Sequence, residues 1–89
     1  MIETEETLNG FIFRGTNYGT VALGKNYSED LLVGSFGVIK KDTNPKFKII
    51  DDELNLSYLK SNGKKNIISL GKINGGKKFI EMVNENLLF

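Results

Sequence analysis

Hydrophobic and polar residues alternate most cleanly between Leu54 and Ile73. Leu54, Leu56 and Tyr58 alternate with Asn55 and Ser57, and Ile68 and Leu70 flank Ser69. Such period-two alternation marks a strand with one buried face. Between the two runs stands Ser61-Asn62-Gly63, and Asn-Gly is a strong hairpin signal that permits two registers. A two-residue loop sets Leu56 opposite Ser69 and divides the apolar residues between faces. A three-residue loop sets Lys60 opposite Lys64, Leu56 opposite Ile68 and Leu54 opposite Leu70, gathering the four apolar residues on one face. A one-residue slip would carry half of that face into water. The sequence therefore predicts the three-residue loop, with Gly63 at positive φ.

The pattern then changes period. Placed at about 100° per residue, Phe79, Ile80, Met82, Val83 and Leu87 fall on one side of a helix, and Lys77, Lys78, Glu81, Asn84 and Glu85 on the other. The adjacent apolar pairs Phe79-Ile80 and Met82-Val83 exclude a half-buried strand. An amphipathic helix over 76–88, laid on the sheet by its apolar side, is the expected element.

Upstream, Phe11-Ile12-Phe13 and Tyr18–Leu23 read as strands joined by turn residues Gly15-Thr16-Asn17. Leu31–Lys41 reads as one long strand, bulged or curved at Gly34 and Gly37. Asp42-Thr43-Asn44-Pro45 is turn material, Phe47–Ile50 a strand, and Asp51-Asp52-Glu53 a second turn. The expected fold is α+β: an antiparallel meander of five or six strands, curved or partly barrel-like, with the C-terminal helix packed on one face. Residues 1–8 form a loose acidic N-terminus or a weak edge strand, and residues 9–89 a single small β-rich domain.

Composition removes several classes of function. The 89 residues contain no Cys, no His and no Trp, so thiolate chemistry, disulfides and the commonest general base are missing. The serines have no histidine to activate them. The expectation is a protein that is not an enzyme and carries no cofactor and no catalytic metal. The acidic stretch Glu3–Glu6 is unlike a signal peptide and no run has membrane-spanning length, which places the expected protein in a cytoplasm, away from membranes.

Three features remain as candidate sites. In a meander, alternate turns share an end, so Lys40, Lys41, Lys46, Lys60, Lys64 and Lys65 are expected together, opposed by Asp42 alone. Such a basic end suits an acidic protein surface or a phosphate backbone, and also serves simply to keep sheet ends soluble. Gly71–Lys78 has the G-x-x-x-x-G-K spacing of a phosphate loop, but Lys78 stands where Mg²⁺ coordination needs Ser or Thr. Only a weak anion site at Lys72, Gly76, Lys77 and Lys78 survives that mismatch. The terminal Leu88 and Phe89 are apolar beyond what the helix buries, and suit association with a second copy or a partner.

A small chain without catalytic groups, rich in Asn, Lys and Ile, reads as a binding protein acting on another protein. The expected kind is a regulator or inhibitor such as phages or mobile elements encode, with a homodimer as a further expectation. The alternative is a small β-rich single-stranded nucleic-acid binder that uses the lysine end, with Phe11, Phe13 and Tyr18 as a stacking platform.

Overall fold

The computed structural model describes residues 1–24, 31–33, 35, 37–39 and 41–87. Among them the chain forms strands β1 (Glu3–Glu6), β2 (Gly10–Thr16), β3 (Gly19–Gly24), β4 (Leu31–Val33), β5 (Gly37–Ile39), β6 (Lys46–Ile50), β7 (Glu53–Leu59) and β8 (Lys65–Lys72), then helix α1 (Lys77–Asn86). The class is α+β with antiparallel pairing and a C-terminal helix, as expected. The single meander is not: β1 to β5 form one sheet and β6 to β8 another, each in sequential order.

Two segments account for the extra strands: one expected strand is divided in two, and the N-terminal stretch takes the edge-strand form of its two expected ones. Leu31–Lys41 is not one strand, because Leu31, Leu32 and Val33 pair antiparallel with Ile39, Val38 and Gly37. Gly37, read as part of a bulge, pairs with Val33 instead, and Gly34 lies outside the described residues. The acidic stretch at the start is a strand, paired with β2 from Glu3 opposite Arg14 to Glu6 opposite Phe11.

The hairpin at Ser61–Gly63 takes the three-residue loop. Leu56 lies opposite Ile68, the Lys60 N–H donates to the Lys64 C=O at 2.8 Å, and Gly63 has φ 81°. The Gly63 N–H donates to the Lys60 C=O at 2.9 Å, closing the turn that Gly63 follows. One pairing differs, since an irregularity in β8 sets Leu54 opposite Gly71 rather than Leu70. Leu54 and Leu70 are nevertheless both fully buried. Between β6 and β7 the turn is tighter than expected: Glu53 already pairs with Ile50, leaving Asp51 and Asp52 as a two-residue turn at φ 49° and 62°. Paired positive φ values suit the right-handed twist of a hairpin, and Asp tolerates them better than most residues.

The sheets meet at a corner. Ile2 bridges Ile73 in parallel, with the Ile2 N–H donating to the Lys72 C=O at 2.8 Å. Asn17, in the β2–β3 turn, donates its backbone N–H to the Leu70 C=O at 2.8 Å and its side-chain Nδ2 to the Ser69 C=O at 3.2 Å. The outer edge of β8 is thereby met from Ser69 to Lys72. Between the sheets lie Phe11, Phe13, Val21, Leu23, Phe47, Leu54, Leu56 and Leu70, all nearly inaccessible. Phe13 stacks on Phe47 with ring centroids 5.1 Å apart, and Phe79 of α1 sets its ring edge-on to Phe11 and Phe13 at 5.7 and 5.8 Å. Such pairs add to the burial of their area. The helix buries Ile80 and Val83 and half-buries Phe79, Met82 and Leu87, the apolar side read from the sequence.

Asn84 corrects that reading. Placed on the polar side by periodicity, it turns toward β6, accepting a hydrogen bond from the Phe47 N–H and donating one to the Phe47 C=O. Helix periodicity assigns Asn84 to a side by angle alone and carries no information about backbone groups left open at a strand edge.

Candidate protein-binding surface

Alternation fixes which side chains of β6, β7 and β8 face outward. Phe47, Leu54, Leu56, Ile68 and Leu70 point to the core. Their neighbours Lys46, Lys48, Asn55, Ser57, Leu59, Ile67 and Ser69 therefore share the opposite face. Register orders that face. Lys46 lies opposite Ser57, Ser57 opposite Ile67, and Leu59 opposite Lys65. Leu59 and Ile67 are thus diagonal neighbours, within reach of one another. They are 38% and 56% exposed, with Lys46 and Lys65 on either side.

The lysines follow the turns. Lys46 begins β6, Lys65 begins β8, and Lys60 and Lys64 flank the Ser61–Gly63 loop, so these four gather at one end of the second sheet. Lys46, Lys60, Lys64 and Lys65 are exposed, and among the described residues none of the four is in an ion pair. Lys46 and Lys65 also border a shallow depression of about 160 Å³, with Asn44, Ser57, Tyr58 and Leu59. Tyr58 is held from below, its hydroxyl accepting a hydrogen bond from Asn66 Nδ2 at 2.8 Å. Lys40 and the side chain of Lys41 lie outside the described residues, as do Leu88 and Phe89.

Sequence reasoning missed Leu59 and Ile67. Their signal was present: Tyr58-Leu59 and Ile67-Ile68 are adjacent apolar pairs inside alternating strands. One member of such a pair must face away from a one-sided core.

The glycine-rich segment is built differently from a phosphate loop. Lys72 lies 3.8 Å from the Glu53 carboxylate. Gly76 is the N-cap of α1 and offers no side-chain bond, and Lys77 and Lys78 are exposed. Lys77 borders a cleft of about 610 Å³ between β6 and α1, where Lys46 and Lys48 are balanced by Asp52 and Glu81. No group of three His, Cys, Asp or Glu side chains gathers among the described residues. No helix among them is long and apolar enough to cross a membrane.

The nucleic-acid alternative needs exposed rings. Phe11 and Phe13 are 2% and 0% exposed, and Tyr18 is half-buried and packed against the core. The large apolar side chains that are exposed among the described residues, Met1, Leu8, Ile50, Leu59 and Ile67, are all aliphatic. No family model matches this chain, and neither a curated protein nor a solved structure matches it.

Proposed function

We propose that the protein is a non-enzymatic binding protein that grips another protein through the Leu59–Ile67 surface. The observation that carries this reading is the pair of exposed aliphatic side chains set as diagonal neighbours on the second sheet and rimmed by Lys46 and Lys65. An apolar centre with a charged rim is the usual anatomy of a protein interface. The lysine rim favours a partner whose own rim is acidic. Burial of the two candidate base-stacking phenylalanines weighs against single-stranded nucleic acid. Small size and the lack of His and Cys suit a regulator or inhibitor, which acts by occupying a surface.

Burying the exposed parts of Leu59 and Ile67 is worth on the order of 1 kcal/mol each. Together that is roughly 30-fold in affinity. Affinity capture from native host extract, with and without nuclease, tests the reading. The expected result is a protein retained after nuclease treatment by the parent and lost by the Leu59→Asp, Ile67→Asp double variant. Retention that requires nucleic acid would transfer the function to the alternative reading.

A further inference from the structure

We infer that Asn74 is a self-modification site, where the chain deamidates without an enzyme and acquires a carboxylate just ahead of α1. Asn-Gly is the dipeptide most open to this reaction, because glycine has no side chain to shield its backbone nitrogen. The sequence contains it three times, as Asn9-Gly10, Asn62-Gly63 and Asn74-Gly75. The fold treats the three differently. The Gly63 N–H donates to the Lys60 C=O at 2.9 Å, and Asn62 Oδ1 accepts the Lys64 N–H at 2.9 Å, so both reacting groups are held in the hairpin turn. The Gly10 N–H donates to the Thr7 C=O at 3.4 Å, and Gly10 is buried at the start of β2. Gly75 differs from both. Its N–H meets no acceptor among the described residues, and the Asn74 carboxamide makes no hydrogen bond among them. Both residues are exposed, and a Cβ at Gly75 would meet nothing within 4 Å.

The reaction needs only water and base. Hydroxide removes the Gly75 amide proton, and the electron pair of the nitrogen attacks Asn74 Cγ. The new N–Cγ bond replaces the Cγ–Nδ2 bond, and Nδ2 leaves as ammonia. Water then opens the succinimide: cleavage at Cγ gives aspartate, and cleavage at the Asn74 backbone carbonyl carbon gives isoaspartate. One water enters and one ammonia leaves, with no oxidation or reduction. Either product adds one negative charge to a chain whose formal net charge is +1. The carboxylate stands two residues before Gly76, the N-cap of a helix with no acid in its first turn, where negative charge is favourable. The site follows β8, at the end of the second sheet away from Leu59 and Lys65, and is independent of what the Leu59–Ile67 surface binds.

Timed incubation of the full chain in mildly alkaline buffer, followed by brief tryptic digestion and mass spectrometry, tests this. Peptides Ile73–Lys77, Ser61–Lys64 and Met1–Arg14 carry one Asn-Gly each. Conversion is read as a mass gain equal to water less ammonia. A donated N–H must lose its bond before its nitrogen can attack, so Ile73–Lys77 should convert at least about fivefold faster than either other peptide. In guanidinium chloride, which removes all three environments, the rates should draw together, because the dipeptides are the same. Isoelectric focusing of the aged native chain should show a more acidic species that Asn74→Gln does not form. Conversion at Asn9 or Asn62 as fast as at Asn74 in the folded chain overturns the site, as does an order of rates that guanidinium leaves unchanged.

Discussion

Asn84 holds the edge of β6 at Phe47 as a neighbouring strand would. The Phe47 N–H donates to Asn84 Oδ1 at 2.9 Å, and Asn84 Nδ2 donates to the Phe47 C=O at 2.7 Å. Strand β6 is at the border of its sheet, and among the described residues no strand pairs with its outward backbone groups. A single carboxamide, carrying one acceptor and two donors, satisfies the pair at Phe47. The same contact fixes α1 over the core, beside the residue whose ring stacks on Phe13.

Asn84→Ala should lower stability by about 1–3 kcal/mol, because it leaves a partly buried N–H and C=O without partners. The measurement is the urea midpoint of the variant, with amide exchange at Phe47. Exchange at Phe47 should rise more than exchange at Leu56, which lies opposite it on β7. An unchanged midpoint would show that water serves the edge as well as Asn84 does.

Gly63→Val should cost about 1–2 kcal/mol. A Cβ at this position meets nothing within 4 Å, so the penalty comes from a β-branched residue held at φ 81° and not from a clash. Thermal denaturation of Gly63→Val and Gly63→Asn separates these causes. Asn, which tolerates the left-handed region, should recover most of the loss.

Gly10→Ala should be worse despite the smaller side chain. An added Cβ would stand 2.2 Å from the Leu23 carbonyl oxygen, on the partner strand, where neither backbone can yield without breaking the β2–β3 pairing. The expected loss is about 3 kcal/mol or more, at the upper end for overpacking. A variant that melts within a few degrees of the parent would contradict the close approach of these strands.

How far the fold was legible depends on whether information was local. The hairpin register was legible because the turn residues and the apolar alternation select the same pairing, and Leu56 does lie opposite Ile68. The Leu54–Leu70 pairing was not, because the irregularity in β8 leaves both leucines buried and alters only which backbone groups face each other. The division into two sheets was hidden for a similar reason. Alternation names the buried face of a strand, but not whether the next strand in sequence pairs with it. The placing of Lys46, Lys60, Lys64 and Lys65 at one end of the second sheet followed from turn order alone, whereas the exposed Leu59 and Ile67 beside them required reading these two as exceptions to alternation rather than as more core.

Removing α1 by ending the chain after Asn74 should abolish the cooperative melt. Ile80 and Val83 are buried, and Phe79 is the ring shared by Phe11 and Phe13, so the core loses one wall. The shortened chain should keep far-ultraviolet strand signal, lose near-ultraviolet ellipticity and bind a hydrophobic dye. A sharp melt near the parental midpoint would mean that the two sheets close their core without the helix.

The claim that the Leu59–Ile67 surface grips another protein is tested most directly by lysine labelling of the captured complex. A small acylating reagent modifies exposed amines, and peptide mass spectrometry reads each lysine against the free protein at a dilution where it is monomeric. Lys46, Lys60, Lys64 and Lys65 should lose reactivity in the complex, while Lys72 and Lys78 at the other end of the sheet keep theirs. Protection centred on Lys72, Lys77 and Lys78, with Lys46 and Lys65 as reactive as in the free chain, would contradict it and move the interface to the start of α1.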